Sequence, residues 1–324
     1  MTDWRPSASL VNLTERAKLL AQLRAFFSVR EVLEVETPLL SQATVPDPGI
    51  AVFQFPIGGG GDSETRYLQT SPEFAMKRLL AAGAGDIFQI AKAFRSGEVG
   101  RHHNPEFSLL EWYRLRWDHA ALIREVAALV EEVLGIQSWQ VWPYGALFGE
   151  LMAIDPFEGG DPHSVPANWL EMAREQVGEI PEALDRDAVL DLLMSHCIEP
   201  AIRDWGVVFV TDFPPSQAAL ARTQHVDGTE VAARFECYVH GHELANGYWE
   251  QTDAEALTAQ LNRENARRKM RGLMPRPIDE RLLAAHQHGL PDCAGVALGV
   301  DRLLALKLGA ERLSSVISFD WPVA

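Results

Sequence analysis

The sequence predicts an α+β protein, an antiparallel sheet with helices packed against it, and three observations lead there. Runs with strand character, such as "DIFQIAKAFR", "EFSLLEWYRL", "GVVFVTDF", "ARFECYVH" and "HELANGYWE", do not alternate with helices in the βαβ order of a parallel sheet. Some of these runs follow one another as hairpins, with His240-Gly241 offering a two-residue turn. Helical periodicity appears before, between and after them. At 324 residues, with 47% hydrophobic and 23% charged residues, the chain can bury a large core. It reads as one domain over residues 1–324, with a helical but poorly marked region at 115–205.

The elements follow in order. "VNLTERAKLLAQLRAFFSVR" is an amphipathic helix with Asn12 as cap, Glu15 three residues later, and Leu13, Ala17, Leu20, Leu23 and Phe27 on one stripe. "VLEVETPLL" alternates apolar and acidic residues as a strand does, until Pro38. The glycines at 58 to 61 lack the GKS or GKT ending of a phosphate-cradling loop and read as a hairpin tip. "TSPEFAMKRLLAAGAG" starts a helix with Ser71 as cap and Pro72 at the first position, and stops it at Gly83. The two strand runs flanking residues 95–105 come next. The clearest helix of the region after them is "HAALIREVAALVEEVL". The last strands precede a charged helix over 253–270 and an apolar run from Gly295.

Charge and composition narrow the function classes. A net charge of −16, from 29 Lys+Arg against 45 Asp+Glu, repels phosphate backbones and disfavours generic nucleic-acid binding. A phosphate-bearing substrate has to be met by a few placed arginines and by metal ions. Cys197, Cys237 and Cys293 form no CxxC pair and no zinc spacing with histidine, so free thiols in a reducing compartment are expected. No apolar run reaches the roughly 20 residues of a membrane helix, and no signal peptide is evident, so a cytoplasmic protein without a membrane partner is expected.

Several residues stand out chemically. Period-2 alternation in "EFSLLEWYRL" puts Phe107, Leu109, Glu111 and Tyr113 on one face. A carboxylate among aromatics there is costly unless it meets a cation, through a structural arginine, which is the commoner use, or in an ammonium pocket closed by Tyr113. In "RFECYVHGHELANGYWE", a turn at His240-Gly241 makes Tyr238 face Glu243, and Glu236 shares that face. Two converging carboxylates need a cation, and divalent metals that bridge nucleotide phosphates take such ligands. A bulge at Asn246-Gly247 is expected to re-aim Glu250 toward them. In "GVALGVDRLLALKLGA", Gly295 and Gly299 allow close backbone approach and Arg302 stands where a helix starts, in reach of a polyphosphate or serving only a tight packing. His102 and His103 point to opposite sides of an extended segment, make a poor metal pair, and read as loop or phosphate contacts.

Three segments together resemble, in the right order, the three motifs of class II aminoacyl-tRNA synthetases: "VREVLEVETPLL" with Pro38, "FRSGEVGRHHNPEFSLLEWY", and "GVALGVDRLLAL". Within that class "SPEFAMKRLL", "HNPEF", "EWY" and "ELANGYWE" are similar to the lysyl branch. Lysyl-tRNA synthetases carry an anticodon-binding OB-fold before motif 1, whereas the motif 1 helix here begins near Asn12. The chain therefore looks like the stand-alone lysyl-type paralogues that modify elongation factor P.

The resemblance implies a class II synthetase-like antiparallel sheet flanked by helices, ATP and Mg2+, and an aminoacyl-adenylate of (R)-β-lysine or lysine. It further implies elongation factor P as acceptor, a homodimer, and no tRNA. The rival expectations are a minimal lysyl-tRNA synthetase and a non-catalytic synthetase-like regulator. By resemblance Arg95 and Arg302 hold ATP phosphates and are catalytic. Ser96, Gly97, Asn104, Phe107, Glu243, Leu244 and Gly299 complete the ATP site, with Asn104 and Phe107 bordering the adenine. Glu236 and Glu243 hold the metal. Ser71, Pro72 and Glu73 line the substrate site, with Glu73 receiving an amino group. Glu111, Tyr113 and Glu250 receive the far ammonium, and Asn246 and Ala297 sit nearby. Two departures are informative. Motif 2 usually reads Arg-x-Glu, but here it is Arg95-Ser96-Gly97 followed by Glu98. Ala297 and Ala245 replace glycines, and one added methyl in a tight cleft shifts preference between amino-acid isomers by about 1–3 kcal/mol.

Overall fold

A computed structural model describes residues 4–58, 64–158, 164–181 and 184–324. They form two compact units, Met1–Asp118 with Glu132–Leu134 and Gln251–Ala324, and His119–Glu131 with Gly135–Glu250. Each is described by itself.

The first unit opens with helix α1 (Leu10–Ser28), capped by Ser9, whose hydroxyl accepts from the Asn12 amide at 3.1 Å. The helix therefore starts earlier than the expected Asn12 cap allows. Its buried face is Leu19, Leu23, Phe26 and Phe27, while Leu20 is half-buried. Aromatic packing sets this rotation: Phe27 stacks on Phe88 at 4.5 Å and meets the edge of Trp112 at 5.2 Å. The segment read as one strand gives two short ones, β1 (Leu33–Glu34) and β2 (Leu40–Ser41). Pro38 lies between them and has no N–H for a ladder. Strands β3 (Gln54–Ile57) and β4 (Glu64–Leu68) pair antiparallel, and β4 also pairs with β2. Of the expected hairpin-tip glycines, those at 59 to 61 lie outside the described residues.

Helix α2 (Glu73–Ala81) starts one residue later than expected, with Pro72 as N-cap and no side-chain cap bond. Strands β5 (Ile87–Phe94) and β6 (Glu106–Leu115) then pair antiparallel along the whole of β5, from Ile87 opposite Tyr113 to Phe94 opposite Glu106, and β1 pairs parallel with β5.

The second unit holds most of α3 (His119–Leu134), followed by β7 (Trp139–Pro143), α4 (Tyr144–Met152), α5 (Ala167–Val177) and α6 (Arg186–Leu193). Strand β7 lies inside the region expected to be helical. Five residues are too few to establish a period, and it forms by parallel pairing with β8 (Val207–Phe213). Next come β9 (Thr223–Val226), β10 (Thr229–Val239) and β11 (His242–Trp249), all antiparallel to their neighbours. Tyr144, Phe148, Trp169, Leu190 and Phe213 pack the core between the helices and this sheet.

The chain returns to the first unit with α7 (Ala254–Met270) and α8 (Glu280–Gly289), capped by Asp253 and Asp279, and with β12 (Cys293–Gly299), which pairs with β6. Helix α9 (Val300–Leu308) follows β12 directly and ends at Gly309 in the left-handed region. Each unit thus has a mainly antiparallel sheet with helices against it, as expected.

Candidate active site

In the first unit β6 is the floor of the site. Glu111 lies opposite Gln89 on β5 and Ala297 on β12; Tyr113 lies opposite Ile87 and Gly295; Leu109 lies opposite Ala91 and Gly299. Small residues of β12, Gly295, Ala297 and Gly299, therefore flank one side of the face bearing Glu111, while β5 adds Ile87, Gln89 and Ala91 on the other. Glu111 is only 2% exposed, and Tyr113 donates its phenol to Glu111 Oε1 at 2.8 Å. Tyr113 also packs against Met76 and Leu80, which places α2 over this face. On α2, Glu73 carries a partner that the sequence reading missed. Lys77, 1% exposed, donates to Glu73 Oε1 at 2.6 Å. Their four-residue spacing on a helix was the signal. Ser71 accepts weakly from the Glu73 amide at 3.4 Å in a turn and does not cap the helix.

The β5–β6 connection carries the ATP candidates. Arg95 stacks over Phe107 at 5.2 Å and faces Glu98 at 3.8 Å. Gly97 has φ +82°, a left-handed conformation that a glutamate adopts only with strain. The loop's carboxylate, Glu98, therefore comes one position after the usual glutamate and turns to Arg95. Asn104 donates to Glu106 O at 2.6 Å and accepts from the Trp321 amide at 2.9 Å. Both halves of its amide thus hold backbone.

At the start of α9, Arg302 Nη2 meets His103 Nε2 at 3.1 Å. His102 is held below its ordinary value by burial and then by the charges of Arg101, Arg302 and His103. The charges of Arg101 and Arg302 beside these histidines suit a polyanion. Asp301, next to Arg302, is buried and anchors the helix start. It takes Arg16 at 2.6 Å and the Ser108 amide at 2.7 Å, and Arg16 also donates to the Ser108 hydroxyl at 2.8 Å. A Cβ at Gly299 would meet the Arg302 side chain first, at 3.6 Å, an ordinary contact that forces nothing to shift.

The second unit carries the remaining candidates on the β10–β11 hairpin. His240 and Gly241 both have positive φ, 50° and 73°, the signature of a type I′ turn. A Cβ on Gly241 would come within 2.3 Å of the Glu199 carbonyl, so only glycine fits. Tyr238 faces Glu243 as expected, but the bulge is at Leu244 and not at Asn246-Gly247, because Cys237 pairs with Ala245 and Glu236 with Asn246. Residues 243 and 246 of a regular strand would point to opposite sides. The extra residue puts both on the face of Glu236 and Tyr238.

There Glu236 takes hydrogen bonds from Arg234, from the Tyr238 phenol, and from Asn246 Nδ2 at 3.3 Å. Its carboxyl is raised, first by burial and, against Arg234, by the charge of Glu243. Two repelling carboxylates on one face fit a hard divalent cation, and Mg2+ commonly uses one or two carboxylates together with substrate phosphates. Among the described residues no group of three or more His, Cys, Asp or Glu side chains forms a metal site. At the end of β11, Glu250 is 1% exposed; its carbonyl accepts from Arg222 at 2.9 Å, and Arg222 stacks over Trp249 at 4.2 Å. All three cysteines are free.

The chain is 48% identical to an elongation factor P–(R)-β-lysine ligase of Pectobacterium carotovorum, over 98% of both chains. It is 46% identical to proteins of the same name from Yersinia enterocolitica and Salmonella paratyphi B, over 98% of this chain and 97% of each relative. The family model described as tRNA synthetases class II (D, K and N) matches residues 1–321, and the chain belongs to that family.

Proposed function

We propose that the chain is an ATP-dependent ligase that activates (R)-β-lysine as an adenylate and transfers it to a lysine side chain of elongation factor P. The carrying observation is the 48% identity, over 98% of both chains, to a ligase named for that substrate and acceptor. The buried Glu111–Tyr113 pair and the cationic cluster around Arg302 supply the matching chemistry, a seat for an ammonium and one for a polyphosphate.

In the first step a carboxylate oxygen of the amino acid attacks the α-phosphorus of ATP, the α–β phosphoanhydride bond breaks, and pyrophosphate leaves. Arg95 and Arg302 offset the charge that develops on the phosphates. Glu243 and Glu236 would hold Mg2+, which neutralises phosphate charge when bound. Glu111 and Tyr113 seat the far ammonium of the substrate, a role the resemblance also gives to Glu250, and Glu73, oriented by Lys77, takes the nearer amine. In the second step the deprotonated ε-amine of the acceptor lysine attacks the mixed-anhydride carbon, and AMP departs as the amide forms. Positioning both reactants supplies much of the acceleration.

A homodimer formed through the α1 and β1–β2 surface belongs to the same reading, supported by the exposed Leu10, Val11, Leu33, Leu39 and Leu40. A cytoplasmic location is compatible with the free cysteines, and no described helix is long and apolar enough to cross a membrane. The test is pyrophosphate–ATP exchange with purified protein. Exchange faster with (R)-β-lysine than with L-lysine is expected; exchange only with L-lysine, accompanied by tRNA charging, would favour a minimal lysyl-tRNA synthetase.

A further inference from the structure

The ATP-facing connection between β5 and β6 is tied down by a part of the chain with no role in the reaction as described. The Leu313 amide donates to the Arg101 carbonyl at 3.0 Å, and the Trp321 amide donates to Asn104 Oδ1 at 2.9 Å. These two bonds land on either side of His102 and His103. The strap that makes them is itself anchored. Ser7 donates its hydroxyl to Asp320 at 2.7 Å and accepts from the Asp320 amide at 3.1 Å, while the Ser7 amide donates to the Ser318 carbonyl at 2.8 Å. Asn12 Nδ2 adds a bond to the Ser315 carbonyl at 2.8 Å. A turn closes the strap, with the Val323 amide on the Asp320 carbonyl at 3.0 Å.

What this strap holds is a loop that brings the charge of Arg101 near that of Arg302, with His102 and His103 between them. His102 feels Arg101, Arg302 and His103, each of which disfavours its protonation. Such a cluster tends to spread until an anion arrives, and keeping it together in advance is preorganisation for a polyphosphate. Asn104 is the hinge of the arrangement, since its amide links Trp321 to the Glu106 carbonyl, where β6 begins. Phe107, on which Arg95 stacks, is the next residue but two after Asn104.

We propose that the segment Leu313–Trp321 is a positioning element for ATP, with the Trp321 and Leu313 amides fixing the loop that presents Arg95 and His103, the latter against Arg302 of α9. The role rests on the ligase reading, because ATP is the ligand being positioned. It lies in the backbone N–H of Trp321 and not in its indole, which is 51% exposed.

Two variants of the full chain separate these. Trp321→Pro removes the N–H at the second position of a turn, where proline is accommodated. Trp321→Ala keeps the N–H and removes the ring. In pyrophosphate–ATP exchange, Trp321→Pro should raise KM for ATP about three- to tenfold, the worth of one lost hydrogen bond. KM for the amino acid and the denaturation midpoint should stay near wild type, and Trp321→Ala should leave KM for ATP nearly unchanged. An unchanged KM for ATP in Trp321→Pro overturns the proposal, and so does an equal rise of both KM values, which would mark general loosening. Amide hydrogen exchange over residues 95–105 gives an answer independent of activity: faster exchange in Trp321→Pro than in wild type is expected, and equal exchange overturns it. If the wild type shows no ATP exchange, the ligase reading fails, while hydrogen exchange still decides whether the strap holds the loop.

Discussion

Two buried carboxylates, Glu111 on β6 and Glu236 on β10, share one local design. In each strand a tyrosine two residues later points to the same face and donates its phenol to the glutamate. Their neighbours differ. Glu111 has Gln89 and Ala297 directly across, whereas Glu236 has Val210 and Asn246 across and Arg234 two residues before it. Glu243 adds a second negative charge on the latter face. We propose that the same glutamate–tyrosine unit serves two purposes. With an arginine and a second carboxylate it is partly neutralised and suited to sharing a metal with phosphates. Held by the Tyr113 phenol and facing Ala297 and Gln89, Glu111 is proposed to receive a substrate ammonium.

The strongest test of that contrast replaces each carboxylate by its amide. Glu111→Gln should raise KM for (R)-β-lysine about 10²-fold, since truncating one side of a buried charge pair costs about 2–5 kcal/mol. KM for ATP should hardly change. Glu236→Gln should instead raise the Mg2+ concentration needed for half-maximal exchange and lose about 3 kcal/mol in denaturant titration, because the Arg234 guanidinium keeps its charge and loses its partner. Equal KM effects in both variants would erase the distinction.

Removing the phenols is gentler. Tyr113→Phe should raise KM for the amino acid about tenfold, as expected for one hydrogen bond to a charged group. Tyr238→Phe should leave that KM alone and raise the Mg2+ concentration needed for half-maximal exchange. Ala297→Gly sharpens the comparison from the other side. Ala297 sits directly opposite Glu111, so deleting its methyl should shift the ratio of exchange rates toward L-lysine by about tenfold, within the range for one carbon.

The smallest expected effect is on pH dependence. Burial is the largest cause that lowers both His102 and His286, with neighbouring cations adding to it. The unfolded chain then binds these protons more readily, so their contribution is complete above about pH 6.5 and is lost as pH falls from there through the lowered folded values. Denaturation midpoints measured across that window should decline on acidification, and His102→Asn together with His286→Asn should flatten the decline.

Much of this was legible in the residues. Alternation in β6 put Glu111 and Tyr113 on one face, and the His240-Gly241 turn set Tyr238 opposite Glu243. What was not legible depends on neighbours distant in sequence. The bulge at Leu244 was misplaced at Asn246-Gly247, since bulge position depends on cross-strand register. The cap of α1 was read at Asn12 because capping residues are dense there, and Ser9 takes the bond. Asn104 was expected at the adenine, yet its amide is spent on Glu106 and Trp321, and the tail that supplies one of those bonds carried no motif. Gly97 broke the Arg-x-Glu pattern, and its positive φ gives the break a backbone reason.

The central claim, a lysyl group activated with ATP and placed on another protein, is tested most directly by the intact mass of elongation factor P. The factor would be incubated with this protein, ATP, Mg2+ and either (R)-β-lysine or L-lysine. The account predicts a gain of one lysyl mass on a single lysine, faster with the β-isomer and absent without ATP. An unchanged mass with both isomers, under conditions where pyrophosphate–ATP exchange proceeds, would contradict it.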